Sequence, residues 1–238
     1  MVALTEGGRR RRAHHVRRMK GAQPVRLAVF DCDGTLVDSQ ANICRAMEDA
    51  FAGAGLAPPP RAAIRRIVGL SLVEAVAALL PEADAALHRT LAVDYKHVFQ
   101  RLRADGGLDD EPLFEGIAEV LATLADRGWV LGVATGKSDR GLAHVLEHNG
   151  LTRLFATLQT ADRHPSKPDP AMLLAAIADV GATETGRIGD TAFDLTMARA
   201  GGARAIGVTW GYHDVADLVA GGAEVVADEV AELPGLLA

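Results

Sequence analysis

The segment FDCDGTLVDS, residues 30–39, follows a short apolar run near the start of the chain. The run Val25–Asp31 predicts a buried β-strand. Asp31 and Asp33 are two residues apart, so on an extended chain their carboxylates point to the same side, roughly 7 Å apart. Gly34 then permits a tight turn. Paired carboxylates at a strand end can bind a metal or divide nucleophilic and acid–base roles, while an Asp-Gly surface turn is the simpler alternative.

Beyond residue 111, amphipathic helices, glycines and short apolar segments alternate along the chain. Three helical stripes end at Gly128, Gly150 and Gly181, which suit the left-handed position after a helix. Alternating helices and buried strands imply a parallel sheet covered on both faces, so we predict an α/β, doubly wound, Rossmann-like core. The six predicted strands are Val25–Asp31, Trp129–Thr135, Ala156–Thr160, Arg187–Gly189, Arg204–Val208 and Glu224–Ala227.

The stretch between residues 40 and 105 interrupts this alternation. Apolar residues recur there at helical spacing and no segment resembles a strand, while 105–112 is a polar, glycine-bearing link back to the alternating region. We therefore predict a core formed by 22–39 and 106–238, an inserted all-helical cap over 40–105, and a basic tail over 1–21.

Composition and charge limit the classes of function. The chain has 238 residues, of which 49% are hydrophobic and 24% charged, which is typical of a soluble globular protein. Two cysteines do not make a disulfide framework, so we expect a reducing, cytoplasmic compartment. No apolar run approaches the roughly 18 residues of a membrane helix.

The net charge of −6 combines two unlike parts. Residues 1–20 contain six Arg and one Lys against one acidic residue, and the remainder has 18 basic and 30 acidic residues, a net charge of −12. A nucleic-acid-binding protein would concentrate positive charge on a folded face, so we expect no nucleic-acid partner and no membrane partner.

In an open parallel sheet, ligands bind beyond the carboxyl ends of the strands. The second predicted strand ends at Thr135 and Gly136, where a hydroxyl, backbone amides and a helix N-terminus together suit an anion. The following TGKS resembles the end of a P-loop, but that motif needs four residues between its glycines and Gly132 and Gly136 enclose three. Lys137 is therefore interpreted as a surface or rim residue.

Two further strand ends carry charged residues. Lys167 lies in the segment HPSKPDP, whose prolines limit where the lysine points, although a solvated lysine is the common alternative. Asp190 directly follows a short strand and Asp194 lies four residues later, so both carboxylates can face one side of a first helical turn. Helix capping is the alternative role for this second pair of acids.

Taken together, the four segments resemble the haloacid dehalogenase superfamily. The motifs DxDGT, a second-motif Thr, a third-motif Lys and GDxxxD occur in the family order, and the resemblance covers about residues 25–230. The helical insert after the first motif matches the C1 cap of that superfamily. The segments LVDS and IGDTAFDLTMARAGGA look most like those of phosphoglycolate phosphatases and their relatives.

The resemblance implies a role for each motif residue. Asp31 would be the nucleophile that forms an aspartyl-phosphate, and Asp33 would protonate the leaving alcohol and then deprotonate the hydrolytic water. Lys167 would neutralise charge on Asp31 and on the phosphate, and Asp194 would orient that lysine or support the site from behind. The phosphate-binding groups would be Thr135, Gly136 and Gly34. The ligands of Mg²⁺ would be Asp31, the backbone carbonyl of Asp33, and Asp190.

These roles predict a Mg²⁺-dependent phosphatase for a small phosphorylated metabolite, with a 2-phosphoglycolate-like monoester as the first candidate. The same site could serve a pyrophosphatase, a nucleotidase, or a sugar-phosphate phosphatase or phosphomutase. Sugar phosphomutases of the family usually have a histidine shortly after the first motif, and SQANICRAM, residues 39–47, has none. A non-catalytic, phosphate-binding regulatory protein is the alternative from another class.

Overall fold

The computed structural model describes residues 24–238, so the predicted basic tail over residues 1–21 lies outside the described part of the chain. Six strands form one parallel sheet in the order β3-β2-β1-β4-β5-β6. This is the strand order of a doubly wound Rossmann fold, and the predicted fold class is confirmed. The strands are β1 Arg26–Phe30, β2 Trp129–Thr135, β3 Thr157–Thr160, β4 Glu184–Gly189, β5 Arg204–Val208 and β6 Val225–Ala227.

Strand β1 lies at the centre of the sheet, between β2 and β4. Its side chains alternate between the two faces: Ala28 and Phe30 enter one apolar cluster, and Leu27 and Val29 enter another. Both faces of β1 are therefore buried, which explains its continuous apolar run. The order of the strands reverses between β1 and β4, and their carboxyl ends form the crevice in which such sheets bind ligands.

Helices cover both faces of the sheet. The first face packs against α5 and α6, and the second packs against α7 and α8. The predicted helix ends are confirmed, because Gly128, Gly150 and Gly181 have φ of 79°, 69° and 65° within two residues of the ends of their helices. The helices of the core are α5 Ile117–Asp126, α6 Asp139–His148, α7 Ala171–Val180, α8 Ala192–Ala200, α9 Val215–Gly221 and α10 Leu233–Leu236.

Four helices lie between β1 and α5, and within 40–104 no strand occurs. We call this segment the helical insert. Its own apolar cluster includes Ile43, Met47 and Phe51 of its first helix, whose spacing of four residues places them on one face. The division into cap and core domains stays a prediction. The insert helices are α1 Gln40–Gly53, α2 Arg61–Ile67, α3 Leu72–Leu79 and α4 Ala85–Ala104.

Five strand boundaries differ from the prediction, and of these the starts of β1, β3 and β6 each lie one residue later than predicted. β1 ends at Phe30, one residue before the predicted end, so Asp31 already lies beyond the strand. β4 begins at Glu184, three residues before the predicted start at Arg187, because Glu184 and its neighbours pair with the first residues of β1. The sequence ETGR is too polar to predict this half of the strand. Among residues 24–238, no helix is long and apolar enough to cross a membrane.

Candidate active site

The carboxyl ends of β1 and β4 place two aspartates side by side. Asp31 follows β1, and its backbone amide donates to the carbonyl of Ile188 in β4 at 2.9 Å. Asp190 follows β4 and accepts hydrogen bonds from Thr35 Oγ1 at 2.8 Å and from the amide of Tyr212 at 3.0 Å. Both aspartates are at most 1% exposed. The predicted first and fourth motifs therefore meet at the point where the strand order reverses.

Lys167 connects this pair to a third aspartate. Its Nζ lies 2.7 Å from Asp31 Oδ1 and 2.8 Å from Asp194 Oδ1. The Asp194 carboxylate also accepts from Thr191 Oγ1 at 2.7 Å, as part of a capping box at the start of α8. Helix capping and lysine orientation, which the sequence presented as alternatives for Asp194, are thus both present.

Arg187 is a member of this cluster that the sequence analysis did not single out. Its guanidinium pairs with Asp194 Oδ1, donates to the carbonyl of Ala134 at 2.8 Å and lies 3.8 Å from Asp31 Oδ1. The residue is 0% exposed, and it is among the largest fully buried side chains of the protein. A buried arginine needs an anionic partner. An arginine within the predicted strand Arg187–Gly189 of a parallel sheet was the signal that could have identified it.

The cluster holds three carboxylates and two cations in a buried volume. Burial and the charge of Asp194 raise the pKa of Asp31, although Lys167 and Arg187 oppose this. The pKa of Asp190 is raised well above its ordinary value by burial and then by Asp31 and Asp194. Burial would also raise the pKa of Asp194, but Lys167 and Arg187 outweigh it and hold that pKa below its ordinary value. Because of these two cations, Asp194 stays ionised at a lower pH than Asp190 does.

The same cluster fits a divalent metal ion. Carboxylate oxygens of Asp31, Asp190 and Asp194 lie within 4.8 Å of one another. Asp31 Oδ2 is buried without a hydrogen-bond partner, whereas Asp194 is occupied by Lys167, Arg187 and Thr191. Hard oxygen ligands are what Mg²⁺ prefers. Asp31 and Asp190 are therefore the side chains best placed to hold the ion.

Asp33 takes a different set of partners from Asp31. Its Oδ1 accepts from Ser39 Oγ and lies 2.8 Å from Lys137 Nζ. The Lys137 side chain is only 12% exposed and also lies 3.7 Å from Glu111 Oε2. Of the two alternatives for Lys137, a surface position is therefore wrong, whereas a position at the rim of the site agrees with these contacts. The sequence could not show that a lysine two residues past β2 would reach the acid after β1.

Thr135 and Gly136 lie at the end of β2, as expected for the second motif. Thr135 is 1% exposed, and its Oγ1 accepts from the amide of Lys137 at 3.2 Å. A Cβ on Gly136 would lie 2.7 Å from the carbonyl oxygen of Leu70 and 2.8 Å from that of Gly69. The helical insert therefore approaches this position so closely that only glycine fits.

Gly34 forms part of the wall around Asp190. Its φ is 81°, and a Cβ there would lie 2.2 Å from Asp190 Oδ2. Its amide already donates to the carbonyl of Val37 at 2.9 Å. A phosphate contact by Gly34 stays a prediction, while its close approach to Asp190 explains why this turn requires glycine.

The link between α2 and α3 fastens the helical insert to the core. The amide of Ser71 donates to Ser166 Oγ at 2.7 Å, next to Lys167 in the chain. The carbonyl of Arg66 lies 3.0 Å from His213 Nε2, and the Arg66 side chain pairs with Asp217 at 2.9 Å. These contacts hold the helical insert against the core segments that contain Lys167 and His213.

A cavity of about 810 Å³ lies between the helical insert and the core. Asp33, Gly136 and Lys137 form part of its wall, and from there it extends between α3 and α4 on one side and α6 on the other. Asp31 is not among its lining residues. The cavity therefore meets the candidate site on the side of Asp33.

Comparison with known proteins agrees with this geometry. The family described as Haloacid dehalogenase-like hydrolase matches residues 28–208. The protein named "Probable phosphatase IndB" of Dickeya dadantii strain 3937 is 39% identical over 88% of this chain and 92% of its own length. A phosphoglycolate phosphatase of Agrobacterium fabrum is 34% identical over 87% of this chain and 90% of its own.

Solved structures show the same fold. A hydrolase from Pseudomonas syringae superposes with a TM-score of 0.78 at 27% identity, covering 90% of this chain and 98% of its own. The region that matches the family includes all four motifs, and it spans more than half of the chain. The resemblance noted in the sequence is thus confirmed: the chain belongs to the haloacid dehalogenase-like hydrolase family.

Proposed function

We propose that this protein is a Mg²⁺-dependent phosphatase that hydrolyses phosphate monoesters of small metabolites through an aspartyl-phosphate on Asp31. The observation that carries the proposal is the buried Asp31 carboxylate, held 2.7 Å from Lys167 Nζ beside Asp190. Membership of the family and the phosphatase names of its relatives support the reaction class. A 2-phosphoglycolate-like ester is the first candidate substrate, because several relatives bear the name phosphoglycolate phosphatase.

Charge decides whether a phosphate dianion can approach Asp31. When all three carboxyl groups of the cluster are ionised, they outnumber Lys167 and Arg187, so the cluster then has a net negative charge without a metal ion. Mg²⁺ held by Asp31, Asp190 and the Asp33 backbone carbonyl would supply the positive charge that attracts the phosphoryl oxygens. Thr135 Oγ1 and the Gly136 amide, at the end of β2, would bind the remaining oxygens.

The two half-reactions then use Asp31 and Asp33 in turn. An Asp31 carboxylate oxygen attacks phosphorus, and the bond from phosphorus to the ester oxygen breaks. A protonated Asp33 gives its proton to that oxygen, so the alcohol leaves neutral. Asp33 next takes a proton from water, whose oxygen attacks phosphorus and releases Asp31 and inorganic phosphate. Lys167 stays bound to Asp31 and Asp194 and offsets charge throughout.

The proposal is tested by measuring phosphate release from a panel of phosphorylated metabolites that contains 2-phosphoglycolate, nucleoside monophosphates, sugar phosphates and pyrophosphate. We expect Mg²⁺-dependent release from at least one monoester, and a loss of about 10³-fold or more in Asp31→Asn. Asp49→Asn, an exposed acid on α1, is the matched control and should retain full activity.

Persistent activity in Asp31→Asn would overturn the aspartyl-phosphate mechanism. Preference for pyrophosphate, a nucleotide or a sugar phosphate, judged by kcat/KM, would keep the mechanism and replace the substrate. If every ester is inert while Mg²⁺ still binds, the protein is a non-catalytic phosphate-binding member of its family.

A further inference from the structure

The cavity between the helical insert and the core has a defined relation to the proposed reaction. Asp33 lies in its wall, while Asp31 does not. A general acid must lie within hydrogen-bond reach of the leaving-group oxygen. If the proposed function holds, the leaving group of the substrate therefore lies on the side of Asp33, which is the side on which this cavity opens.

The size of the cavity does not match a two-carbon leaving group. Its volume is about 810 Å³, within the range of roughly 300–1,000 Å³ that encloses ligands of drug size. A glycolate moiety would fill a small part of it and would leave most of the wall in contact with water. The space is suited to a leaving group several times larger.

Part of the cavity wall is apolar and open. Val73 and Val93 are 37% and 50% exposed, and they are the exposed large hydrophobic residues of the described helical insert. Both line this cavity, together with the aromatic rings of Tyr95 and Phe99. Exposed apolar side chains that converge on a cleft indicate a surface that a ligand covers.

The remaining wall carries more basic than acidic side chains, since five Lys or Arg residues line it against Asp33, Glu74 and Asp162. Arg89, Lys96 and Arg103 of α4 line the cavity at intervals of seven residues, which places them on one face of the helix. Arg140 lines it from α6. Within residues 24–238, none of these four side chains forms an ion pair.

Arg103 adds a separate indication of a bound partner. Its guanidinium lies 5.3 Å from the centre of the Phe99 ring, and its Nε is buried without a hydrogen-bond partner. A buried donor without an acceptor is costly, and an anionic ligand would satisfy it. Since residues 21–238 carry a net charge of −12, four unpaired cations around one cavity are not explained by overall composition.

We propose that this cavity binds the leaving group and selects phosphate monoesters whose alcohol is bulky, has an apolar ring face and carries a second anionic group. The phosphoryl end lies at Asp31, the apolar face packs on Val93 and its neighbours, and the second anion lies by the basic face of α4. This inference rests on the proposed phosphatase function, and it replaces the 2-phosphoglycolate-like ester as first candidate substrate with a class of larger monoesters.

Three esters of primary alcohols test the inference without a large difference in leaving-group chemistry. The first, 4-carboxybenzyl phosphate, has both the ring and the second anion. Benzyl phosphate has the ring alone, and 2-phosphoglycolate has the second anion alone. We expect kcat/KM for 4-carboxybenzyl phosphate to exceed that of each of the other two by about tenfold, the effect of one added favourable contact.

Two variants assign the preference to the cavity. Val93→Trp fills the cavity from an exposed position, so kcat/KM for both benzyl esters should fall about tenfold while 2-phosphoglycolate is unaffected. Leu174→Trp, at an exposed apolar residue of α7 outside the cavity, is its control. Lys96→Gln should raise KM for the carboxybenzyl ester alone by about threefold or more, whereas Arg101→Gln on another face of α4 should change nothing.

The outcomes separate this inference from the function on which it rests. Hydrolysis of all three esters with 2-phosphoglycolate equal to or better than the others overturns the inference and leaves the phosphatase proposal intact. A Val93→Trp variant that slows all three esters equally also overturns it. If none of the three esters nor any ester of the metabolite panel is hydrolysed, the phosphatase proposal fails and the inference fails with it.

Discussion

The two ends of the site are built in opposite ways. In the aspartate cluster around Asp31, ion pairs join Asp31 and Asp194 to Lys167 and Arg187, and hydrogen bonds hold Asp190, while exposure is at most 1%. In the cavity on the other side of Asp33, four cations have no ion-pair partner among the described residues and two valines are exposed. In the first end the charged groups have partners within the protein, and the cluster fits a divalent cation. In the second end, cations and apolar side chains lack such partners.

Under the proposed function, this difference separates the residues that carry out the chemistry from those that select the substrate. The cluster is held by the carboxyl ends of β1, β2 and β4, whose backbones the sheet constrains, whereas much of the cavity wall belongs to α3 and α4 of the helical insert. Helices of the insert can change their side chains without moving the strand ends. We expect substitutions in the cluster to affect every substrate, and substitutions in the cavity to affect substrates differently.

Removing the metal ion should cause the largest loss of activity. Chelation should abolish hydrolysis, and Mg²⁺ at about a hundred times its Kd should raise the Tm by roughly 5 °C or more. Burial raises the pKa of both Asp31 and Asp190, so the folded protein without metal binds more protons than the unfolded chain. Its free energy of unfolding therefore falls as the pH rises from the ordinary carboxyl pKa through the raised pKa values of these two groups. The rise in Tm with Mg²⁺ should therefore be larger at pH 8 than at pH 5.5.

Thermal denaturation with Mg²⁺ or with chelator, at both pH values, measures this effect. Asp190→Asn is the variant to compare, because it removes one carboxylate ligand and should lose most of the Mg²⁺-dependent rise. An equal rise in Tm at the two pH values would contradict the role given to these carboxyl groups.

Arg187 provides the next largest effect. Arg187→Met leaves Asp194 with Lys167 as its remaining cationic partner, so we expect kcat to fall about 100-fold and the free energy of unfolding to fall by about 3 kcal/mol or more. Loss of a positive charge beside Asp31 should at the same time tighten Mg²⁺ binding, which isothermal titration calorimetry measures. A purely structural role for Arg187 predicts weaker Mg²⁺ binding instead.

Arg187→Lys keeps the charge and should recover part of kcat, whereas Arg204→Met, at an exposed arginine of β5, should leave both kcat and Mg²⁺ affinity unchanged. Wild-type kcat in Arg187→Met would show that the cluster does not depend on its second cation.

Lys137 lies on the boundary between the two ends. Lys137→Met removes the cation that lies 2.8 Å from Asp33, and we expect kcat and kcat/KM to fall together by about tenfold, because Asp33 acts in the transition state. Lys137→Arg should retain most of the activity, and Arg153→Met, at an exposed position, is the control. A change in KM alone would place Lys137 with the cavity rather than with the chemistry.

The contact between Arg66 and Asp217 should matter least. Both side chains are partly exposed, at 57% and 28%, and such pairs contribute at most about 1 kcal/mol. Arg66→Gln should therefore lower the Tm by less than about 4 °C and change kcat/KM by less than about twofold. Steady-state kinetics and a thermal melt decide this, and a tenfold loss would mean that the pair controls closure of the insert.

Local sequence patterns were enough to predict much of the core. Ala28 and Phe30 alternate with Leu27 and Val29 in a strand buried on both faces, and three glycines end three helices. These features depend on periodicity and on backbone conformations that few residues adopt, so they can be read without knowing any distant contact. The order of the motifs then identified the family.

Contacts between distant residues could not be predicted in this way. Lys137 was interpreted as a surface or rim residue, yet it pairs with Asp33, more than a hundred residues away in sequence. Arg187 looked like part of a short strand, and its pairing with Asp194 depends on the packing of α8 against β4. Neither residue has a local pattern that marks it.

The sequence by itself determined the parallel sheet, the helical insert between two parts of the core, and the carboxyl, hydroxyl and amino groups at four strand ends. Tertiary structure alone decided which of these groups form ion pairs with one another and which residues line the cavity beside them. The physical reason is that hydrophobic periodicity is a property of neighbouring residues, whereas electrostatic pairing and cavity shape arise only when β1, β2, β4 and the helical insert have packed together.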